Sequence, residues 1–515
     1  MSNKTLEKER IAKNTFLLYV RMFFQLLIGL YTSRAILNIL GIEDYGIYNV
    51  VGGVVGLFLF INSSMSSSSS RFITFALGKG NKEHLQSVFS TSFLVHIIIA
   101  VLFLILAETI GLWLVCQKLV IPDGRMMAAL WVYQFSVITC ILNILNVPYN
   151  ATIIAHERMR AFAGISTLDV VLKLFAVLAL QWVTYDRLIY YSAFLFAIAL
   201  FDWCLYRFYS IKHFEETSVK LKIQWNKFIF VEMCKFSGWS LLGYMSYAGI
   251  GQGINILLNI FFGPAVNAAR GIAMQVQNYV NSFCLNFQMA LNPQITKSYA
   301  QNDLNYMHSL IITSSKFSFY LLFFISFPLI LETPLILHWW LGNVPEYTVI
   351  FVRLVLLLIL VNIFANPIYI AMQATGHLKK YQLTEAIILL LIFPSSYFLL
   401  KFGNKPPYIV FIVQIIMEVV VTIVRLSIVL PMIRFPFVNY IKSIIIPVAV
   451  SVVIGAIIPI CICCLLEESL HTFFIVCMAS IICVGLSIYI TGITKTERVF
   501  LKNRVSSVYN RIKHS

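Results

Sequence analysis

Nine lysines and arginines fall inside long apolar runs: Arg21, Arg34, Arg71, Lys173, Lys235, Arg270, Lys316, Arg353 and Arg425. A cation at the centre of a membrane helix costs about 2.5–3.5 kcal/mol on insertion scales, so nine would approach ~30 kcal/mol. Water, pairing or snorkelling must relieve most of that. Asp169 and Lys173, four residues apart, form a helical ion pair. Glu418 and Arg425, seven apart, share a helix face, and Lys235, Arg71 and Arg425 lie close enough to helix ends to snorkel. Arg21, Arg270, Lys316 and Arg353 have no acid at helical spacing, and Arg34 lies further along the same run as Arg21. A water-filled cleft lined by cations at several depths accounts for them. Such a cleft attracts anions, and guanidinium suits phosphate through paired hydrogen bonds.

Polar residues recur around these cations. INSSMSSSSSRF (61–72) places Asn62, Ser66 and Ser70 four apart on one stripe leading to Arg71, which predicts a hydroxyl-lined entry to the cleft. Five consecutive serines occupy every face of a helix, so others must bond to the backbone or allow close packing. QVQNYVNSFCLNFQ contains Gln275, Gln277, Asn278, Asn281 and Asn286, a set that suits sugar hydroxyls or interhelical hydrogen bonds equally. GIGQG (249–253) looks like half of a dinucleotide fingerprint but lies in an apolar helix with no strand before it, so it predicts close packing or a kink. Asp169 is the acid deep in the first half of the chain and the candidate site for a coupling proton or sodium ion.

Enzyme signals are missing: there is no HExxH, no Walker-type loop and no paired-Asp metal motif. No metal or organic cofactor is expected. Most of the ten cysteines sit in apolar runs, and Cys461–Cys464 lacks a second cluster at metal-site spacing. Without a nucleotide site, any transport must run on a proton or sodium gradient, on membrane potential or downhill.

The elements that position these residues follow from hydropathy. Of 515 residues, 59% are hydrophobic and 12% charged, with a mean hydropathy of +0.84. A soluble chain carries about 25% charged residues. The composition predicts an all-α polytopic membrane protein. Fourteen spans are expected near 14–39, 46–76, 86–116, 126–155, 161–182, 188–208, 228–262, 265–296, 309–337, 347–375, 382–401, 408–430, 440–465 and 471–492. The net charge of +16 sits in short loops, which argues against nucleic acid. Counting alternate loops puts 24 basic residues on one side and about five on the other, which predicts cytoplasmic N- and C-termini. The N-terminus is hydrophilic with no small-residue cleavage site, so the first span is expected to act as its own insertion signal.

Three segments recur at offsets of 219–222 residues: 146–160 with 365–380, 40–46 with 262–268, and 71–81 with 293–303. An even-numbered half gives parallel repeats related by an axis along the membrane normal. The expected organisation is an N-lobe (1–208, spans one to six), a cytoplasmic linker (209–227), a C-lobe (228–430, spans seven to twelve) and two further spans with a basic tail (431–515).

The block NTFLLYVRMFFQLLIGLYTSRAILNILGIEDYGIYNVVGGVV, then NSSMSSSSSRF, ALGKGN and PYNATIIAHERM, resembles bacterial polysaccharide-unit flippases of the Wzx type. These belong to the superfamily that also holds multidrug extruders and lipid II flippases. The resemblance covers the first twelve spans. It implies a two-lobed bundle that moves a polyprenyl-diphosphate-linked oligosaccharide to the outer leaflet by alternating access, for O-antigen, capsule or exopolysaccharide synthesis. It implies a diphosphate-receiving cavity with arginines from the first, second and eighth spans, where Arg21, Arg34, Arg71 and Arg270 stand. Arg353, Lys316, Gln275, Asn278, Asn62, Ser66 and Ser70 complete the candidate substrate-binding set. The expected setting is the bacterial inner membrane, as a monomer, with a glycan polymerase and chain-length machinery as partners. A lipid II flippase and a multidrug/cation antiporter are alternatives of the same fold; a membrane glycan polymerase is the enzyme alternative.

Overall fold

The structure, a computed structural model, describes residues 3–56, 59–117, 121, 124–217, 226–262, 264–341, 344–466, 469–494 and 497–498. Fourteen long helical segments stand among the described residues, beside the short helix Thr333–Leu341: α1 (Asn3–Gly56), α2 (Leu59–Lys79), α3 (Lys82–Gln117), α4 (Met126–Ala155), α5 (Met159–Trp182), α6 (Arg187–His213) and α7 (Lys227–Phe262). They continue as α8 (Pro264–Ala300), α9 (Leu304–Leu331), α10 (Thr348–Thr375), α11 (Lys379–Gly403), α12 (Ile409–Met432), α13 (Phe437–Leu465) and α14 (Leu470–Gly492). No strand occurs among the described residues. This is the expected all-α polytopic fold, six helices repeated and two added. One boundary differs: α1 includes the start of the second span, because the turn is a single break at Gly41 (φ 80°, ψ 172°) within a helical run. L side chains rarely adopt that conformation, so the turn needs glycine.

Ten helices, α3–α6 and α9–α14, are long and apolar enough to cross a membrane by length and composition among the described residues. Two helices among the first two of each six-helix repeat are rich in polar side chains: α2 with five consecutive serines, and α8 with nine asparagines and glutamines. Such faces need protein or water around them rather than lipid. By contrast α3 turns Ile98, Val101, Leu102 and Ile105 outward on one stripe and buries Val95, Ile99 and Phe103. That apolar outer stripe is a lipid-facing surface.

The repeat is legible in the backbone. Glu157 (φ 58°) and Gly376 (φ 80°) are left-handed residues closing α4 and α10, 219 positions apart. Gly80 (φ 72°) and Asn302 (φ 59°) close α2 and α8, 222 apart. At Glu157 and Asn302 the following amide bonds five residues back (Arg158 N to Ile153 O and Asp303 N to Ser298 O, both 3.0 Å). That is the helix stop which satisfies the last carbonyls with one left-handed residue.

The chain divides into two compact units. The first holds Met1–Ser246 with Met289–Asp303 and Gln373–Leu383, so the end of α8 and the α10–α11 turn belong with the N-terminal helices. Its core centres on Val51, Val95, Phe103, Val132, Tyr133 and Leu188. The second holds Tyr247–Gln288, Leu304–Met372 and Thr384–Ser515, around Phe319, Leu322, Phe351, Val355 and Phe411. Here α13 and α14 meet through small residues: Ser487 Oγ donates to Ser451 O at 2.7 Å, and a Cβ on Gly455 would stand 3.2 Å from Val484 Cα. Tyr320 of α9 donates to Gly492 O at 3.3 Å, tying the added pair to the repeat.

In the first unit a Cβ on Gly78 would stand 2.9 Å from Ala300 Cβ and 3.0 Å from Lys297 Cα. Gly78→Ala is therefore expected to cost about 1–3 kcal/mol, read as a lower Tm of the detergent-solubilised protein. Gly164→Ala, with open space around it, leaves Tm unchanged or higher.

Candidate functional site

Arg21, on α1, is half-buried, with its guanidinium carbon 4.4 Å from the Phe162 ring centroid. Its Nε is buried without a hydrogen-bond partner. The Arg34 side chain lies outside the described residues. Arg71, near the end of α2, does not reach past the helix end. Its Nε donates to Gln373 O at 3.0 Å and its Nη2 to Ala374 O at 3.1 Å. Phe72, Phe75 and Phe236 surround it at 4.5, 4.8 and 5.6 Å.

The serine run is a zipper rather than a lining. Ser64 Oγ donates to Ser237 O (2.6 Å), Ser68 Oγ to Met233 O (3.3 Å), Ser92 Oγ to Ser69 Oγ (2.8 Å), and Gln373 Nε2 to Ser67 Oγ (2.7 Å). Small hydroxyls let α3, α7 and the α10 end approach α2 and satisfy its neighbours at once. The predicted stripe behaves differently: Asn62, Ser66 and Ser70 are half-buried, and Asn62 Oδ1 is buried without a partner.

In the second unit Arg270 is buried, 7% exposed, and donates to Asn255 Oδ1 (2.5 Å) and Gly251 O (2.9 Å). The GIGQG stretch is thus a packing device: Gly251 supplies a carbonyl, and a Cβ on Gly253 would stand 2.8 Å from Phe393. Gln275 is exposed and donates to Tyr279 Oη at 3.2 Å, and Asn278 is exposed. Two sequence candidates have structural partners. Lys316, 2% exposed, meets Glu497 Oε2 at 3.3 Å, an acid that helical spacing does not reveal. Arg353 donates to Ile330 O (3.0 Å) and Leu331 O (3.3 Å), closing the end of α9.

Arg425 corrects two expectations. It is 2% exposed rather than snorkelling, and it pairs with Glu385 of α11 (2.5 Å), not with Glu418 on its own helix. Glu418 is equally buried, with Oε2 unpartnered. The pairing crosses helices, so spacing along α12 could not find it.

Asp169 pairs with Lys173 at 2.8 Å as expected. Asp202 Oδ1, on α6, is buried without a hydrogen-bond partner. Glu157 is an acid that the sequence reading missed. It is buried in a left-handed position that glycine would fill with less strain. Its carboxylate accepts Gln294 Nε2 (2.6 Å) and Lys297 Nζ (2.7 Å), fastening the α8 end to the α4–α5 turn. At the other end of the same helices Arg125 bridges Asp44 (2.5 Å) and Asp186 (2.6 Å) beside a cavity of about 530 Å³. Burial would lower the Arg125 pKa, but its bonds to Asp186 and Asp44 outweigh that and raise it.

Solved structures give the architecture a likeness. A MATE transporter in the bent conformation matches with a TM-score of 0.73 at 13% identity, over 83% of this chain and 96% of that one. The chain has the MATE fold. An outward-facing multidrug resistance MATE family transporter of the MOP superfamily matches equally, with a TM-score of 0.73, 13% identity and the same coverages. A MOP superfamily transporter from Pyrococcus furiosus, described by the reverse polarity of its binding pocket, matches with a TM-score of 0.70 at 13% identity over the same shares. No protein-family model matches the chain, and no curated protein does.

The buried pair gives a stability test. Arg425→Ala strands Glu385 and is expected to cost about 3–5 kcal/mol, with Glu385→Gln plus Arg425→Met recovering much of it. Lys82→Ala, which breaks the exposed pair with Glu215, is expected to leave the Tm unchanged.

Proposed function

We propose that this chain is a multi-pass flippase that carries a polyprenyl-diphosphate-linked oligosaccharide across the bacterial inner membrane by alternating access. One observation carries the reading. Arg21, Arg71 and Arg270 hold their charge inside helices α1, α2 and α8 with rings, carbonyls and an amide as partners, and no carboxylate in ion-pair contact among the described residues. A cation neutralised by an acid has little left for a ligand, whereas one held by neutral acceptors is available to an anion. Arg34 belongs to the same proposed set. Gln275 and Asn278, exposed on α8, are proposed sugar contacts. Lys316 is left out because Glu497 already holds it, whereas Arg353, held by the α9 carbonyls, stays in the proposed set by the same criterion. Cytoplasmic termini, a monomeric state and partnership with a glycan polymerase and chain-length machinery belong to this proposal.

Asp169, inside α5 with Lys173 as its ion-pair partner at 2.8 Å, is the proposed site for a coupling proton or sodium ion. The same acid is what a cation antiporter would use, and the outward-facing neighbour is named for multidrug resistance. The neighbour described by reversed pocket polarity supports the view that one fold serves ligands of either charge.

Arg21→Ala plus Arg270→Ala is expected to abolish surface glycan while protein stays in the membrane. Deletion should make lipid-linked oligosaccharide accumulate in the cytoplasmic leaflet. Normal glycan export by the double variant refutes the cationic receptor, and cationic-drug resistance lost on deletion with glycan intact favours the antiporter. In vesicles, Asp169→Asn should remove the dependence of transport on an imposed proton gradient without removing lipid binding.

A further inference from the structure

Two segments of the second half are fastened to the N-terminal helices within the first unit, and the fastenings differ in kind. At the α8 end, Lys297 and Gln294 hold Glu157, and both charges of the pair are satisfied. At the α10–α11 turn, Arg71 holds the carbonyls of Gln373 and Ala374, neutral acceptors at the end of a helix. Gly376 completes that end: its φ of 80° is left-handed, and a Cβ there would stand 3.0 Å from Arg71 Nη2. Gln373 returns a bond to Ser67, so the turn is tied to α2 at both backbone and side chain.

We propose that Arg71 is a latch on the α10–α11 turn, released when a diphosphate takes its guanidinium. The step rests on the flippase reading above and adds how substrate arrival starts the conformational change. Against a carbonyl only the donor is ionised, whereas against phosphate both partners are, and the planar fork that now spans two carbonyls spans two phosphate oxygens equally well. The residue stands eight positions before Lys79 at the helix end, roughly 12 Å along the axis. It is half-buried, and three phenyl rings around it hold the head group's rival, water, away. An anion cannot open the Lys297–Glu157 fastening in this way, because Glu157 repels it. The α10–α11 turn is the half that substrate frees, and the α8 end is the half that stays.

Hydrogen exchange by mass spectrometry on the full chain in phosphatidylcholine vesicles tests this, with retention of undecaprenyl diphosphate measured in parallel. Undecaprenyl diphosphate should speed amide exchange across 374–380 by about tenfold and leave 294–300 unchanged; undecaprenol should do nothing. Inorganic pyrophosphate as a separate arm shows whether the lipid is needed: release by both makes the diphosphate alone sufficient. Arg71→Gln should exchange fast at 374–380 without ligand and gain nothing from it, and Arg71→Lys, which keeps charge but loses the fork, should fall between. Retention of the lipid with no change at 374–380 overturns the latch and leaves the flippase reading standing. Failure to retain the lipid overturns both. Slow exchange in ligand-free Arg71→Gln also overturns the latch.

Discussion

A guanidinium inside a helix bundle keeps its proton, so the bundle must bring it acceptors. In this chain the acceptors at three helices are uncharged: the Gln373 and Ala374 carbonyls for Arg71, Asn255 and the Gly251 carbonyl for Arg270, and the Phe162 ring for Arg21. Much of the surrounding sequence follows from that requirement. Gly376 stands where a side chain would crowd Arg71. The serines of α2 satisfy neighbouring backbones at the close approach Arg71 needs.

Elsewhere cations are neutralised in the ordinary way, and the contrast separates function from structure. Arg425 meets Glu385, Lys297 meets Glu157, and Arg125 meets Asp44 and Asp186. A buried pair of this kind is costly to break from one side and contributes little net stability, so its use is to fix geometry. Glu157 shows the strength of that demand. It keeps a carboxylate in a left-handed position because both Lys297 and Gln294 bond to it.

The likeness to MATE transporters extends over most of the chain at 13% identity, which is a likeness of fold. Substrate choice within such a fold is a matter of the charges it carries inward. Here the distribution of unneutralised arginines, rather than the fold, directs the reading to a lipid-linked anion.

Helix number, order and repeat were determined by the sequence alone, because a hydrophobic window of span length has one stable outcome in a bilayer and short turns mark its ends. The 219–222 offset likewise predicted turns that the backbone makes with left-handed residues at Glu157 and Gly376, Gly80 and Asn302. Pairing on one helix was legible too, as at Asp169 and Lys173. Partnerships between helices were not. Arg425 with Glu385, Lys316 with Glu497 and Arg71 with the α10 carbonyls join residues 40 to 303 positions apart. Periodicity reports which face a residue occupies, but the identity of the opposing face depends on which helices pack together. Only the tertiary structure decided that, and with it which arginines meet a carboxylate and which are held by neutral acceptors.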